Sequence, residues 1–143
     1  ENISKYSSQI SKLKQEHTFD ILKQNLTPSP SLTYFLSHIN SSIKVGLCTN
    51  SKKETALLIL TMMDIAHFFD IVLTGDDVVF KKPHPEIFIK AMKHFDATTA
   101  NTYIFEDSIV GLKAAAASNA NYIRISTPAD LTTDILNEYG LGK

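Results

Sequence analysis

Residues 103–125 read YIFEDSIVGLKAAAASNANYIRI. Apolar runs at 102–105 and 122–125 lie on either side of an alanine-rich segment at 109–118. Short apolar runs bounded by polar residues predict buried strands, and the alanine-rich segment predicts a helix. A strand, a helix and a second strand in this order predict two parallel strands joined by a helical crossover.

The same alternation of strands and helices extends toward the N-terminus. Apolar runs predict strands at 43–48 and 71–74, and longer segments predict helices at 52–64 and 85–95. A last helix is predicted from 128 to 140. Strands that alternate with helices predict an α/β fold, in which a parallel sheet is covered by helices on both faces.

The N-terminal part of the chain is predicted to contain two helices and a hinge. Apolar residues at helical spacing across 3–25 predict an amphipathic helix. The sequence Thr27-Pro28-Ser29-Pro30 interrupts this pattern, and Ser29 is suited to cap a second helix that begins at Pro30. We therefore expect a hinge between the two helices.

Composition narrows the class of protein. The chain has 143 residues, which suits one domain, and a net charge of −1, which gives no reason to expect nucleic acid as a partner. Its apolar runs are too short to cross a membrane, so no membrane partner is expected. Cys48 is the only cysteine. A single thiol cannot form an intramolecular disulfide, and this fits a cytoplasmic location.

Polar residues follow the first predicted strand at the place where ligands bind to parallel sheets, which is the carboxyl end. These residues are Thr49-Asn50-Ser51. Their hydroxyl and amide groups, together with the N–H groups of the next helix, suit a phosphate. The alternative interpretation is that they are ordinary helix caps.

An acidic pair, Glu106-Asp107, follows the third predicted strand. Two adjacent carboxylates repel each other unless a cation neutralises them, and hard oxygen ligands favour Mg²⁺. The alternative is a solvated turn in which Asp107 or Ser108 caps the next helix.

A lysine pair, Lys81-Lys82, precedes Pro83 and the predicted helix at 85–95. A lysine restricted by a following proline can place its ammonium near phosphate oxygens and the acidic pair. The alternative is two surface lysines in a loop. A hydroxyl, a Lys-Pro and an acidic pair in this order favour one shared site over three unrelated features.

Four stretches together resemble the core of the haloacid dehalogenase-superfamily hydrolases, in the beta-phosphoglucomutase-like branch. They are KVGLCTNS at 44–51, FFDIVLTGDDV at 68–78, KKPHPEIFIKAM at 81–92 and YIFEDSIVGLKAAAASNANYIRI at 103–125. The resemblance implies a Rossmann-like parallel sheet with flanking helices, preceded by the remnant of a helical cap. Residues 1–27 would be the end of the cap domain, and residues 28–143 a core domain that lacks its first strand.

The resemblance also implies a role for each candidate residue. Thr49 would bind the transferred phosphoryl group, and Asn50 lies where the family's backbone contacts phosphate. Lys82 would neutralise charge on the phosphate and the nucleophile. In the acidic pair, Asp107 would bind Mg²⁺ directly and Glu106 would act mainly through water.

The implied activity is phosphoryl transfer, because dehalogenases of this superfamily lack such an acidic pair. We expect a Mg²⁺-dependent phosphatase or phosphomutase that acts on a small phosphorylated metabolite through an aspartyl-phosphate. The family's nucleophilic Asp-x-Asp motif does not occur in this sequence. We expect it upstream of Glu1, on a central strand between those that carry Thr49 and Glu106.

This missing strand would come from an N-terminal segment or from another chain, and residues 1–143 alone would be inactive. The alternative is a non-catalytic binding or assembly module that kept the phosphate pocket.

Overall fold

The structure is a computed structural model that describes the backbone of residues 2–143 and the side chains of residue 9 and residues 11–143. Helices and strands alternate along most of the chain. In order they are α1 (Asn2–Asn25), α2 (Pro30–Ser37), β1 (Gly46–Cys48), α3 (Lys53–Met62), β2 (Ile71–Leu73), α4 (Glu86–His94), β3 (Tyr103–Glu106), α5 (Ile109–Ala117), β4 (Asn121–Arg124) and α6 (Thr133–Glu138). The predicted α/β class with flanking helices is confirmed.

The strands form two parallel pairs. β1 pairs with β2, with Cys48 opposite Leu73, and β3 pairs with β4, with Glu106 opposite Arg124. Within the described residues, β1 and β3 share no backbone pairing, so the strands form two separate two-stranded sheets.

Helices α4 and α5 join the two sheets on one side. α4 packs on β1 and β2, α5 packs on β3 and β4, and the two helices contact each other. Their shared core includes Ile87, whose side chain is fully buried, with Leu73 from β2 and Ile104 from β3. Burial of a side chain such as Ile87 stabilises the fold by about 1.5–3 kcal/mol. A second core cluster, which includes Phe35 and Leu136, lies around α2, α3 and α6.

Local signals explain two helix starts. Ser29 caps α2, because its hydroxyl accepts a hydrogen bond from the N–H of Leu32, and Pro30 occupies the first turn as predicted. Ser108 caps α5 in the same way and accepts from the N–H of Gly111.

None of the described helices combines the length and apolar character that a membrane span requires.

Two predicted boundaries are wrong. The segment predicted as a helix from 128 to 140 is a 3₁₀ turn, Pro128–Asp130, followed by the separate α6. The cause is a capping box between Thr127 and Asp130, which closes one turn before the backbone extends at Leu131.

The first strand, predicted at 43–48, begins only at Gly46. The N–H of Val45 donates to the carboxylate of Asp70 (2.9 Å), which takes the place of a strand hydrogen bond.

Candidate functional site

Lys82 joins the carboxyl ends of β1 and β3. Its ammonium donates to the carbonyl of Cys48 at the end of β1 (2.9 Å) and forms an ion pair with the carboxylate of Glu106 at the end of β3. The ammonium also lies 5.0 Å from the centre of the Phe88 ring. The Lys82 and Glu106 side chains are 7% and 9% exposed. Lys82 is therefore a buried, paired cation and not a surface lysine, whereas Lys81 is exposed.

The Glu106 carboxylate is enclosed by protein groups. One oxygen binds Lys82, and the other accepts a hydrogen bond from the Ser108 hydroxyl (3.2 Å). Gly111 in the first turn of α5 leaves room for this carboxylate, since a Cβ at Gly111 would overlap both of its oxygens. Each oxygen thus has a protein partner, and little of the carboxylate is open to solvent.

Asp107 differs from its neighbour in the acidic pair. Its side chain is exposed, and it accepts no hydrogen bond from the groups that the structure describes. Of the two carboxylates, that of Asp107 is the more accessible from solvent. In the described part of the chain, no three His, Cys, Asp or Glu side chains are arranged to hold a metal.

Thr49 and Asn50 extend from the end of β1 beside Lys82. The N–H of Thr49 continues the ladder by donating to the carbonyl of Leu73 (2.9 Å), and its hydroxyl accepts from the N–H of Ser51 (3.1 Å). The Asn50 side chain accepts from the N–H of Lys82 (2.9 Å) and donates to its carbonyl (3.1 Å). The structure therefore brings the segment 48–50, Lys82 and Glu106 together at the carboxyl ends of β1 and β3.

One N–H group at the start of α3 is not open to a phosphate, because the N–H of Lys53 donates to the carboxylate of Asp76 (2.9 Å). Asp77 also has a structural role, because its carboxylate accepts from the hydroxyl and N–H of Thr74, at 2.7 and 2.8 Å. These two hydrogen bonds hold the pKa of the Asp77 carboxyl below its usual range.

Cys48 lies beside the Lys82–Glu106 ion pair, where its thiol is poorly suited to nucleophilic chemistry. Burial raises the pKa of its thiol to about 12, against the opposing effect of the Lys82 ammonium. A neutral thiol is a poor nucleophile, which favours a packing role.

Two contributions to this site are absent from the sequence-based predictions. Gly111 leaves room for the Glu106 carboxylate, and the Asn50 amide, predicted to suit a phosphate, binds the main chain of Lys82. A glycine inside the alanine-rich α5 was a usable signal, because an isolated helical glycine usually has a packing reason. No local pattern indicated the contact of Asn50 with a residue 32 positions away.

A shallow cavity of about 330 Å³ lies at the opposite edge, next to the residues that precede β1 and β2. It is lined partly by Lys44 and Asp70, which pair with each other at 2.9 Å, and it contains none of the predicted site residues.

Two similar proteins are phosphatases. A phosphorylated carbohydrates phosphatase of Thermotoga maritima is 27% identical over 124 residues, which are 86% of this chain and 56% of that protein. A phosphoglycolate phosphatase of Nitrosococcus oceani is 35% identical over 83 residues, which are 58% of this chain and 37% of that protein. The chain thus spans about half or less of the length of these relatives.

Solved structures of similar fold include two from bacteria. The beta-phosphoglucomutase of Clostridium difficile has a TM-score of 0.73 and 20% identity, with 92% of this chain and 65% of that chain covered. CbbY of Rhodobacter sphaeroides, solved with xylulose-(1,5)bisphosphate, has a TM-score of 0.75 and 21% identity, with 84% and 56% covered. At these identities the likeness shows the fold alone.

The sequence motifs around Thr49, Lys82 and Glu106 therefore occur in a chain that has the predicted α/β fold. The model of one family, described as haloacid dehalogenase-like hydrolase, matches residues 1–125. The chain belongs to the haloacid dehalogenase-like hydrolases and has the fold of the beta-phosphoglucomutases.

Proposed function

We propose that this chain is part of a Mg²⁺-dependent phosphatase or phosphomutase that acts on a small phosphorylated metabolite through an aspartyl-phosphate. The observation that carries the proposal is the buried Lys82 ammonium between the ends of β1 and β3. Two relatives are phosphatases of phosphorylated carbohydrates and of phosphoglycolate, which favours a small phosphorylated metabolite as the substrate class. Phosphoryl transfer needs fixed positive charge at such a position, because charge is spread over the phosphoryl oxygens in the transition state.

Three groups of this chain would bind the phosphoryl group. The Thr49 hydroxyl and the Asn50 N–H would donate to its oxygens, and the Lys82 ammonium would offset their charge. The Lys82 ammonium binds Cys48 and Glu106 through two of its three N–H groups, so it is held in one position before a substrate arrives. A cation fixed in advance needs no reorganisation during the reaction.

Asp107 is the residue that would hold Mg²⁺. Its exposed carboxylate fits the usual coordination of Mg²⁺. This ion typically binds one or two protein carboxylates, and waters and substrate phosphate oxygens are its other ligands. When bound, the ion would neutralise charge on the phosphoryl oxygens. Glu106 would act as the counter-ion of Lys82 and reach the metal site through water, in keeping with its two protein partners.

A strand from outside residues 1–143 would complete the sheet and carry the nucleophilic aspartate. Among the described residues, β1 and β3 each pair on one side only, and their carboxyl ends meet at Lys82. Unpaired backbone groups on both edges favour the insertion of one more strand between them. An N-terminal segment or a second chain would supply it.

The division into a cap end, residues 1–27, and a core, residues 28–143, belongs to the same proposal. Leu13 and Ile21 on α1 are 65% and 47% exposed, so the described residues leave part of the apolar face of this helix uncovered. Further helices of a cap would cover it. We also propose a cytoplasmic location, which suits a sequence with a single cysteine and therefore no intramolecular disulfide.

A phosphatase assay on the complete gene product tests the proposal. Para-nitrophenyl phosphate should be hydrolysed with Mg²⁺ and not with EDTA. Lys82→Ala should lower the rate about 10²-fold or more, while Lys81→Ala, which removes the exposed neighbouring lysine, should have little effect. A folded gene product without Mg²⁺-dependent turnover would contradict the proposal and favour a non-catalytic module.

Residues 1–143 alone should not turn over this substrate, because they contain no Asp-x-Asp. Turnover by this chain that is lost in Asp107→Asn would contradict the need for another strand.

A further inference from the structure

We propose that the side chain of Asn50 is a positioning residue that holds Lys82 in place for phosphoryl transfer. This inference rests on the proposed function for the role of Lys82. The contacts themselves are independent of it.

The Asn50 amide binds the main chain of Lys82 at two points. Its Oδ1 accepts from the Lys82 N–H at 2.9 Å, and its Nδ2 donates to the Lys82 carbonyl at 3.1 Å. A backbone N–H only donates and a carbonyl only accepts, so these partners fix the orientation of the amide. Both contacts together require a side chain that carries an acceptor and a donor at the length of asparagine.

The segment 48–50 therefore holds Lys82 at both ends. Asn50 holds its main chain, and the carbonyl of Cys48 accepts from its Nζ at 2.9 Å. A lysine side chain has four rotatable carbon–carbon bonds, and fixing it has a large entropy cost. Anchoring both ends to one short segment reduces the positions that the ammonium can adopt.

Thr49 lies in the middle of the same segment. The residue that would bind the phosphoryl group and the residue that would offset its charge are thus fixed to one piece of backbone. The two parts of Asn50 therefore have different roles. Its side chain holds Lys82, whereas its backbone N–H is expected to contact phosphate. Loss of the side chain should loosen Lys82 without removing either group.

The first test is chemical labelling of lysines in the folded, complete gene product, read by mass spectrometry after brief treatment with acetic anhydride. Lys82 should react slowly in the wild type, because its side chain is 7% exposed and its ammonium is paired. Asn50→Ala should raise the labelling of Lys82 by about tenfold, which corresponds to the loss of two hydrogen bonds, and leave Lys81 unchanged.

The control variant is Asn121→Ala. Asn121 also binds backbone carbonyls through its side-chain amide, but at Ala100 and Thr102, away from Lys82. It should leave Lys82 labelling unchanged. Unchanged labelling of Lys82 in Asn50→Ala would overturn the proposal, and so would an equal rise at every lysine, since that would show a general loss of fold.

The second test is a double-mutant cycle on the rate of hydrolysis. Asn50→Ala should lower kcat about tenfold in the wild type, but less than about twofold in a Lys82→Ala background, because its effect passes through Lys82. Equal losses in both backgrounds would contradict the positioning role. A wild type without turnover would contradict the proposed function, and the labelling result would still decide the role of Asn50.

Discussion

Lys82 and Glu106 form a buried ion pair that connects the ends of two sheets with no backbone pairing between them in the described residues. The same ammonium binds the carbonyl of Cys48, so one cation contacts both β1 and β3. The Lys82–Glu106 contact therefore matters both for the stability of the β1 and β3 ends and for the chemistry proposed there.

Removal of one partner of this pair should be costly. Glu106→Ala leaves the Lys82 ammonium buried without its counter-ion, and we expect a loss of about 3–5 kcal/mol in the free energy of unfolding. Urea unfolding followed by circular dichroism measures it. Asp70→Asn, which breaks the exposed pair with Lys44, is the matched control and should cost much less. Similar losses for the two variants would show that the Lys82–Glu106 pair is not a buried contact of the folded protein.

Gly111→Ala should destabilise the protein, although helix propensity alone predicts the opposite. Alanine is favoured over glycine inside a helix by about 1 kcal/mol, but a Cβ here would overlap the Glu106 carboxylate. We expect a net loss of about 1–3 kcal/mol. The control is Ala116→Gly on the exposed face of α5, which should lose about 1 kcal/mol through propensity. A more stable Gly111→Ala variant would show that the Glu106 carboxylate does not lie against this turn.

Cys48 should react slowly with iodoacetamide in the folded protein. Burial raises the pKa of its thiol from 9.0 to about 12, so little thiolate is present near neutral pH. Addition of urea should speed alkylation, with Cys48→Ser as the unlabelled control.

The direction in which pH changes the stability of the fold follows from the raised pKa of the Cys48 thiol. The contribution of the protonated Cys48 thiol is fully present below pH 9.0 and is lost as the pH rises toward about 12. Rapid labelling of the native protein at pH 8, or stability that increases above pH 9.0, would contradict this account of the thiol.

Local patterns predicted much of the fold and the position of the site. The alternation of apolar runs and helices placed Thr49 and Glu106 after strand ends, and the structure confirms α/β folding with parallel strands. The spacing of Thr127 and Asp130 marks the break before α6, whereas the pattern of residues 128–140 alone predicts one continuous helix.

Other features depend on contacts between distant residues. Asp76 caps α3 from 23 positions away, and Asn50 binds Lys82 across 32 positions. No local pattern encodes either contact, because each requires the folded chain. The separation of β1 from β3 is also a tertiary property. The family resemblance implies it through the missing central strand, but no local pattern indicates it, since each strand alone is compatible with partners on both sides.

Hydrolysis by Asp107→Asn over a range of Mg²⁺ concentrations tests whether the acidic pair after β3 holds the metal. In the complete gene product, this variant should lose at least about 10²-fold in rate or need at least about tenfold more Mg²⁺, because the exposed carboxylate of the pair is gone. Asp64→Asn, an exposed aspartate at the far end of α3, should behave as wild type. If Asp107→Asn keeps the wild-type rate and Mg²⁺ requirement, the acidic pair after β3 does not hold the metal and the proposed mechanism is wrong.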